Sequence, residues 1–314
     1  MRTESCRRRV AVTVSLLVLA GRSAHADDGV FEGSGGTVSL SGSDHVRMVA
    51  EEVVFDLRTP DVIRVSCLFV VVNEGPADTL LLGFPDYWPD ADDDSPRPGV
   101  VSAIEDLVVT VDGRPVDTTA LPAKDAPTAI GTGDQWCVPY NVAHVWNCSF
   151  APGQTRVLRT EYSHGYSGST SSSYNVSYVL RTGASWAGSI GAVVLRLIPG
   201  QMSLKDAWYP PEWHDTGTEF VWAATDLEPD CDIEVGMEIP AEYAAHLARA
   251  WRGEYDQGGA VAPEDAHRWV FGSSIFRHCR PQFLVEVSRA LGSSLPDLSR
   301  ELAALADSLS EEFR

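Results

Sequence analysis

Residues 62–72 read Val-Ile-Arg-Val-Ser-Cys-Leu-Phe-Val-Val-Val, the order of apolar and polar positions expected of a β-strand. Ile63, Val65, Cys67, Phe69 and Val71 share one face by the two-residue period. Arg64 and Ser66 begin an opposite face that turns apolar at Leu68, Val70 and Val72, which places the strand inside a sheet rather than at its margin. The turn-forming run Asn73-Glu74-Gly75-Pro76 ends it. The same reasoning predicts strands over 46–57 and 79–84.

Further strands are predicted over 107–111 and 115–117, joined by the tight-turn dipeptide Asp112-Gly113, and then over 145–150, 156–162, 174–182, 193–198, 219–223 and 233–239. The Gly-rich, acidic segment 27–36 reads as a loose terminus, 86–99 as a Pro/Asp loop, and 118–135 as a long connection at which an internal boundary is placed. Many short strands with turns between them predict a mainly β protein, an antiparallel β-sandwich, with one or two Ig-like sandwiches both open across 27–240.

From Pro240 the period becomes helical, so 241–314 is predicted as a C-terminal helical segment with helices over 241–255, 263–278 and 281–291, the last stopped by Gly292. A final helix carries Leu295, Leu298, Leu302, Leu305 and Leu309 at three- and four-residue steps, with Ser294 as its expected cap and Asp297 three residues on. That leucine strip is either a partner-binding surface or a face packed on neighbouring helices, and its shortness favours packing.

Residues 1–26 change the picture of compartment. Arg7, Arg8 and Arg9 precede the apolar run 10–20, and Ala24-His25-Ala26 supplies the small residues of a cleavage site, so 1–26 is expected to be a signal peptide removed before Asp27. Its apolar run is too short to span a bilayer, and no later segment is apolar enough to do so. The chain is predicted to be secreted or periplasmic. Its net charge is −20, and −24 once five Arg and one Glu leave with the leader, a field that opposes nucleic acid and anionic lipid. Export also favours disulfides. Cys137 and Cys148, flanking a short Trp-containing segment, are the first candidate pair, and Cys67 and Cys231, both in strand-like sequence, the second.

Candidate chemistry is sparse. Asp90, Asp92 and Asp94 alternate as a loop does when it aims carboxylates at Ca²⁺, although Ser95 and Val101 stand where an EF-hand needs Gly and Glu. Asp226, Glu228, Asp230 and Asp232 alternate also; Glu228 and Asp230 are the carboxylates for a glycosidase-like reading, with Pro229 against a regular strand. Trp136, Trp146, Trp208 and Trp213, with Tyr140 and Tyr209, are candidates for stacking on a sugar or gripping a partner, or else for filling the core. Ser185 in Gly183-Ala184-Ser185-Trp186-Ala187 lacks the strand-then-helix context of a nucleophile elbow. No catalytic residue is assigned on that basis. Gly131-Thr132-Gly133 lacks a third glycine for a dinucleotide site, and His278 beside Cys279 reads as surface and core.

Two blocks occur together: Ser43-Asp44-His45-Val46-Arg47-Met48-Val49-Ala50-Glu51-Glu52-Val53 with Asn73-Glu74-Gly75 and Gly83-Phe84-Pro85, and the run from Tyr178 to Gly191 with Trp222 and Leu227-Glu228-Pro229-Asp230. Over about residues 35–235 the chain resembles a family of secreted bacterial proteins catalogued as domain of unknown function 4424. The resemblance implies an exported β-sandwich and transfers no catalytic residue. The expected function is that of an exported non-catalytic module with a binding or structural role in the envelope or outside the cell, its partner a protein or glycan of that compartment. The alternative is a secreted carboxylate-dependent hydrolase of a glycan-like substrate.

Overall fold

The structure is a computed structural model that describes residues 28–34, 37–59, 62–86, 104–124, 140–165, 167–168, 174–210, 212–252 and 279–312, with residues 254, 267, 270, 271 and 276. The expected signal peptide 1–26 lies outside them. The chain divides into two compact units, one of residues 1–167, 176–198 and 209–234, the other of 168–175, 199–208 and 235–314.

The first unit is a sandwich. Its larger sheet contains β3 (Val46–Asp56), β4 (Val62–Asn73), β6 (Glu105–Val111), β7 (Arg114–Pro115), β10 (Thr155–Gly165), β13 (Ile190–Ile198), β15 (His214–Asp215) and β16 (Phe220–Leu227), in the order β15-β16-β13-β3-β4-β10-β6-β7. Strand β4 is central, as its two apolar faces predict, and its odd-numbered positions from Ile63 to Asn73 are all buried. All pairings between neighbours in this sheet are antiparallel except β13 with β3. The β6–β7 turn has positive φ at Asp112 (51°) and Gly113 (73°), the left-handed region that Asp-Gly tolerates.

The second sheet contains β1 (Gly29–Ser34), β2 (Thr37–Leu40), β5 (Asp78–Asp86), β8 (Thr119–Pro122) and β9 (Val142–Phe150), in the order β2-β1-β5-β9-β8. Its two edges meet: Val38 pairs in parallel with Ala123, and Lys124 N–H donates to the Val38 carbonyl at 2.6 Å. The sheet therefore curls closed around Phe31, Val38, Ala143 and Val145, with Leu81 and Leu121 packed against them. Gly83 is required there, because a Cβ would stand 2.7 Å from the Phe31 ring. The alternate positions of β5 and β9 face the larger sheet, and Phe84 meets Tyr162 of β10 edge-on at 5.2 Å.

Residues 28–34, within the segment 27–36 read as a loose terminus, are a correction to that reading, because 29–34 form strand β1. Asp28, Val30 and Phe31 are buried, because Val30 N–H donates to Ser185 Oγ at 2.8 Å and the Trp186 indole donates to the Asp28 carbonyl at 3.0 Å. Ser185 and Trp186 belong to a 3-10 turn at Arg181–Ser185 and the residue after it, so the Ser185 hydroxyl clamps a strand. Likewise, part of 118–135 is strand β8 rather than connection.

The second unit holds helices α1 (Pro240–Trp251), α2 (Pro281–Leu291) and α3 (Pro296–Glu312), the first two opened by proline at the position where a missing N–H costs nothing. Their apolar faces share one cluster that includes Tyr243, Leu247, Phe283, Val287, Leu298, Leu302 and Leu309. The leucine strip of α3 is thus a packed face, joined to α2 by Ser288 and Ser299, each hydroxyl donating to the other's carbonyl at 2.8 and 2.9 Å. Gly292, with φ 43°, ends α2. Ser294 is not the cap expected of it: its hydroxyl turns back to the Leu291 carbonyl at 2.6 Å, and α3 starts at Pro296. Among the described residues there are four more short strands, β11 (Ser167–Gly168) beside β12 (Tyr174–Tyr178), and β14 (Ser203–Tyr209) beside β17 (Ile233–Glu238). Among the described residues no helix is long and apolar enough to cross a membrane.

Among the described residues no disulfide is present. Cys67, Cys148, Cys231 and Cys279 are buried thiols outside any disulfide. Cys67 points inward from β4 with its Sγ 3.7 Å from the Tyr178 hydroxyl, so it is committed to the core rather than to Cys231. Cys148 faces the same interior from β9, opposite Leu80, with its thiol pushed up to about 11 by burial; Cys137, its expected partner, lies outside the described residues.

Candidate functional site

The first sequence block assembles at one end of the sandwich. Asn73, at the end of β4, is fully buried, and its side-chain amide ties two turns together. Nδ2 donates to the carbonyls of Pro76 (2.6 Å) and Ala151 (3.2 Å), while Oδ1 accepts from Gly75 N–H (2.9 Å). Its backbone reaches the β9–β10 turn as well, through Asn73 N–H to Gln154 O and Gly153 N–H to Asn73 O, both 2.9 Å. The His45 ring lies against Gly75, where a Cβ would come within 2.6 Å, and His45 Nε2 is 3.2 Å from Asp78 Oδ2. Arg47 Nε donates to Glu74 Oε1 at 3.0 Å. These residue types follow from the job: a buried amide has the donors and acceptor to satisfy several turn groups, and only glycine admits the ring.

That knot supports a shallow depression of about 560 Å³ lined by Ala77, Asp78, Thr79, Phe150, Gln154 and Arg156, with Ser149 and Ala151. The Thr79 and Ser149 hydroxyls face each other across the β5–β9 ladder at 2.9 Å. Arg156 Nε and Nη2 donate to the Ser149 carbonyl at 3.0 and 2.7 Å, and Nη1 donates to Asp112 Oδ2 at 2.6 Å. Asp112 is held below the usual carboxylate range, first by the Val157 N–H and then by Arg156. The depression thus presents a carboxylate, two hydroxyls, an amide and a guanidinium on a rigid frame, a set suited to holding a small polar molecule by hydrogen bonds. Its residues come from three turns and strands and form no local motif, so sequence reasoning missed it. We expect Asn73→Ala to cost about 2–4 kcal/mol, since it strands buried carbonyls and an N–H together, and chemical denaturation will read that loss.

Two buried pairs are supports rather than sites. His144 Nε2 lies 3.0 Å from Asp86 Oδ2, with Phe84 as the register partner of His144, and His164 on the facing strand is pushed down to about 4 by burial while its Nδ1–H donates to the Gly165 carbonyl at 2.8 Å. Arg181 Nε lies 3.0 Å from Asp232 Oδ2, and Arg181 N–H donates to Asp232 Oδ1 at 3.0 Å. Tyr140 is driven up to about 12 by burial, with the Asp232 charge adding to it.

The candidates named from sequence are dispersed. Asp90, Asp92, Asp94 and Trp136 lie outside the described residues, as does the side chain of Trp208. Trp146 and Trp213 are each 4% exposed, so these rings fill the interior and are not presented to a ligand. Glu228 and Asp230 are exposed beyond the end of β16, whereas Asp232 is buried against Arg181 and Asp226 adopts φ 52°, so the four carboxylates do not share a face. Among the described residues no three His, Cys, Asp or Glu side chains form a metal-binding group.

No family model matches the chain, and neither does any curated protein. Among solved structures, a Legionella pneumophila protein described as a "putative nutrient binding protein" is similar over 91% of this chain and 98% of its own, with a TM-score of 0.61 at 16% identity. That likeness concerns the fold alone. An M1 zinc metallopeptidase from Deinococcus radiodurans matches 63% of this chain and 43% of its own length at a TM-score of 0.30 and 10% identity, and carries no argument.

Proposed function

We propose that the chain is an exported, non-catalytic β-sandwich protein of the cell envelope or extracellular space that binds a small polar ligand in the depression beside Asn73. The observation that carries this reading is the facing Thr79 and Ser149 hydroxyls, flanked by Asp78, Gln154 and Arg156 on a frame held by a buried amide. The description of the Legionella protein as binding nutrients supports a ligand-binding role. Membership in the family of unknown function 4424 belongs to the same proposal. It is supported by where the two blocks fall: the first makes the turn knot, and the second supplies the Ser185 and Trp186 clamp.

The test is a thermal-shift screen of the full chain against amino acids, short peptides, sugars and polyols. A ligand at about 100 times its dissociation constant should stabilise the fold by about 2.7 kcal/mol. Thr79→Val with Ser149→Ala, a pair of exposed positions, should abolish the shift without lowering the unliganded melting temperature by more than about 2 °C. A shift that survives the double substitution, or turnover of the bound molecule, would overturn the reading.

A further inference from the structure

Deep in the first unit two acids lie with no cation facing them among the described residues. Asp28 precedes β1 and is 0% exposed, and Glu51 is 2% exposed. Glu51 points inward because a bulge between Met48 and Ala50 shifts the register of β3. Thr160 of β10 donates to Asp28 Oδ1 at 3.4 Å, and the Tyr178 hydroxyl of β12 donates to Glu51 Oε1 at 3.1 Å and lies near Cys67 of β4. Cys148 of β9 is the further titratable group within reach of Asp28. The second carboxyl oxygens, Asp28 Oδ2 and Glu51 Oε2, are buried with no hydrogen-bond partner among the described residues. An ionised carboxylate in that condition is heavily penalised, and a neutral acid is not.

We propose that Asp28 and Glu51 form a proton-operated latch on strand β1, which stays seated while both are neutral and lets its first residues leave the core when Asp28 ionises. This goes beyond the binding reading and does not rest on it. The moving part is set by what holds each acid. Glu51 sits on β3, hydrogen-bonded to β4 on one side and β13 on the other, and cannot withdraw without dismantling the sheet. Asp28 precedes a strand joined to β5 at only Gly29, Val30 and Phe31. The Ser185 and Trp186 bonds and the Ser41 N–H to Val30 carbonyl bond at 2.7 Å clamp its first residues, and its pairing with β2 begins at Phe31 and can persist while those residues leave. Burial, with the Glu51 charge adding to it, raises Asp28 well above its usual range, and burial raises Glu51 to about 8. The open state therefore binds fewer protons than the closed one. Opening should increase about tenfold per pH unit once pH exceeds the ordinary carboxyl range, up to the closed-state value.

Hydrogen exchange of the full chain, corrected for intrinsic rates, tests this between about pH 5.5 and 8.5. Protection of Val30 and Phe31 should fall about tenfold per pH unit while β4 is unchanged, and Asp28→Asn should remove that slope. Protection that is constant in the wild type, lost equally from β4, or still pH-dependent in Asp28→Asn would overturn the latch. If Asp28→Asn does not fold, Glu51→Gln must keep the slope, since Glu51 stays seated on β3 and Asp28 is the group that ionises; a slope lost with Glu51 would overturn the latch. Independently of any variant, a wild-type infrared spectrum at neutral pH without a buried protonated-carboxyl band overturns it. So does protection restored at high pH by Na⁺ or Ca²⁺ alone, which would put a metal where the proton is placed.

Discussion

Arg181→Met is expected to destabilise the first unit by about 3–5 kcal/mol, since it leaves the carboxylate of Asp232, 0% exposed, without its counter-charge. For a unit of this size the melting temperature should drop by roughly 10 °C. The penalty belongs to the stranded charge, so adding Asp232→Asn to Arg181→Met should recover most of it: an asparagine oxygen still accepts the residue-181 N–H but carries no charge. Urea denaturation of the single and double variants reads both effects. Additive losses would show that the guanidinium matters through packing alone.

A pH dependence of opposite sense to ordinary acid denaturation is expected in the second unit. Glu238, 0% exposed, lies with its Oε2 2.8 Å from Lys205 Nζ, which also sits 4.8 Å over the Tyr243 ring. Burial lifts Glu238 to about 7 despite Lys205, and the nearby Asp206 and Glu242 add to the lift. The folded value exceeds the unfolded one, so the folded state binds more protons between about pH 4.5 and 7. Stability is complete below that window, declines by about 3 kcal/mol as pH rises through it, and is level above. The helical circular-dichroism band, which α1, α2 and α3 dominate, follows this unit in urea. Glu238→Gln should flatten the profile, and an unchanged slope would assign the dependence to another group.

These buried acids also mark where sequence reading stops. Strand β4 was legible because eleven residues obey one period and Asn73-Glu74-Gly75-Pro76 ends them, and the Asp112-Gly113 turn because few residue pairs tolerate positive φ at both positions. Strand β1 was not, since glycines dilute its pattern and its burial comes from Ser185 and Trp186, some 155 residues later. Nothing local announces the bulge that turns Glu51 into the core. The Cys137–Cys148 pair follows from neighbourhood along the chain and the Cys67–Cys231 pair from strand-like sequence at both positions, but bond formation depends on where Cβ vectors point, and Cys67 and Cys148 point into the sandwich. The candidate depression was illegible for a similar reason: Asp78, Ser149 and Arg156 meet only through the register of β5, β9 and β10.

The two sheets of the first unit also bear on how the protein behaves in a crowded compartment. One closes through Val38 and Ala123, and the other ends in two-residue strands, Arg114–Pro115 on one side and His214–Asp215 on the other. Open, regular edges invite strands of other molecules to add on and seed fibrils, and proline and charged side chains at short margins discourage this. The two-residue strands cover Phe220 and Val221 of β16 and Thr110 and Val111 of β6, so strand addition is opposed at those positions of the larger sheet.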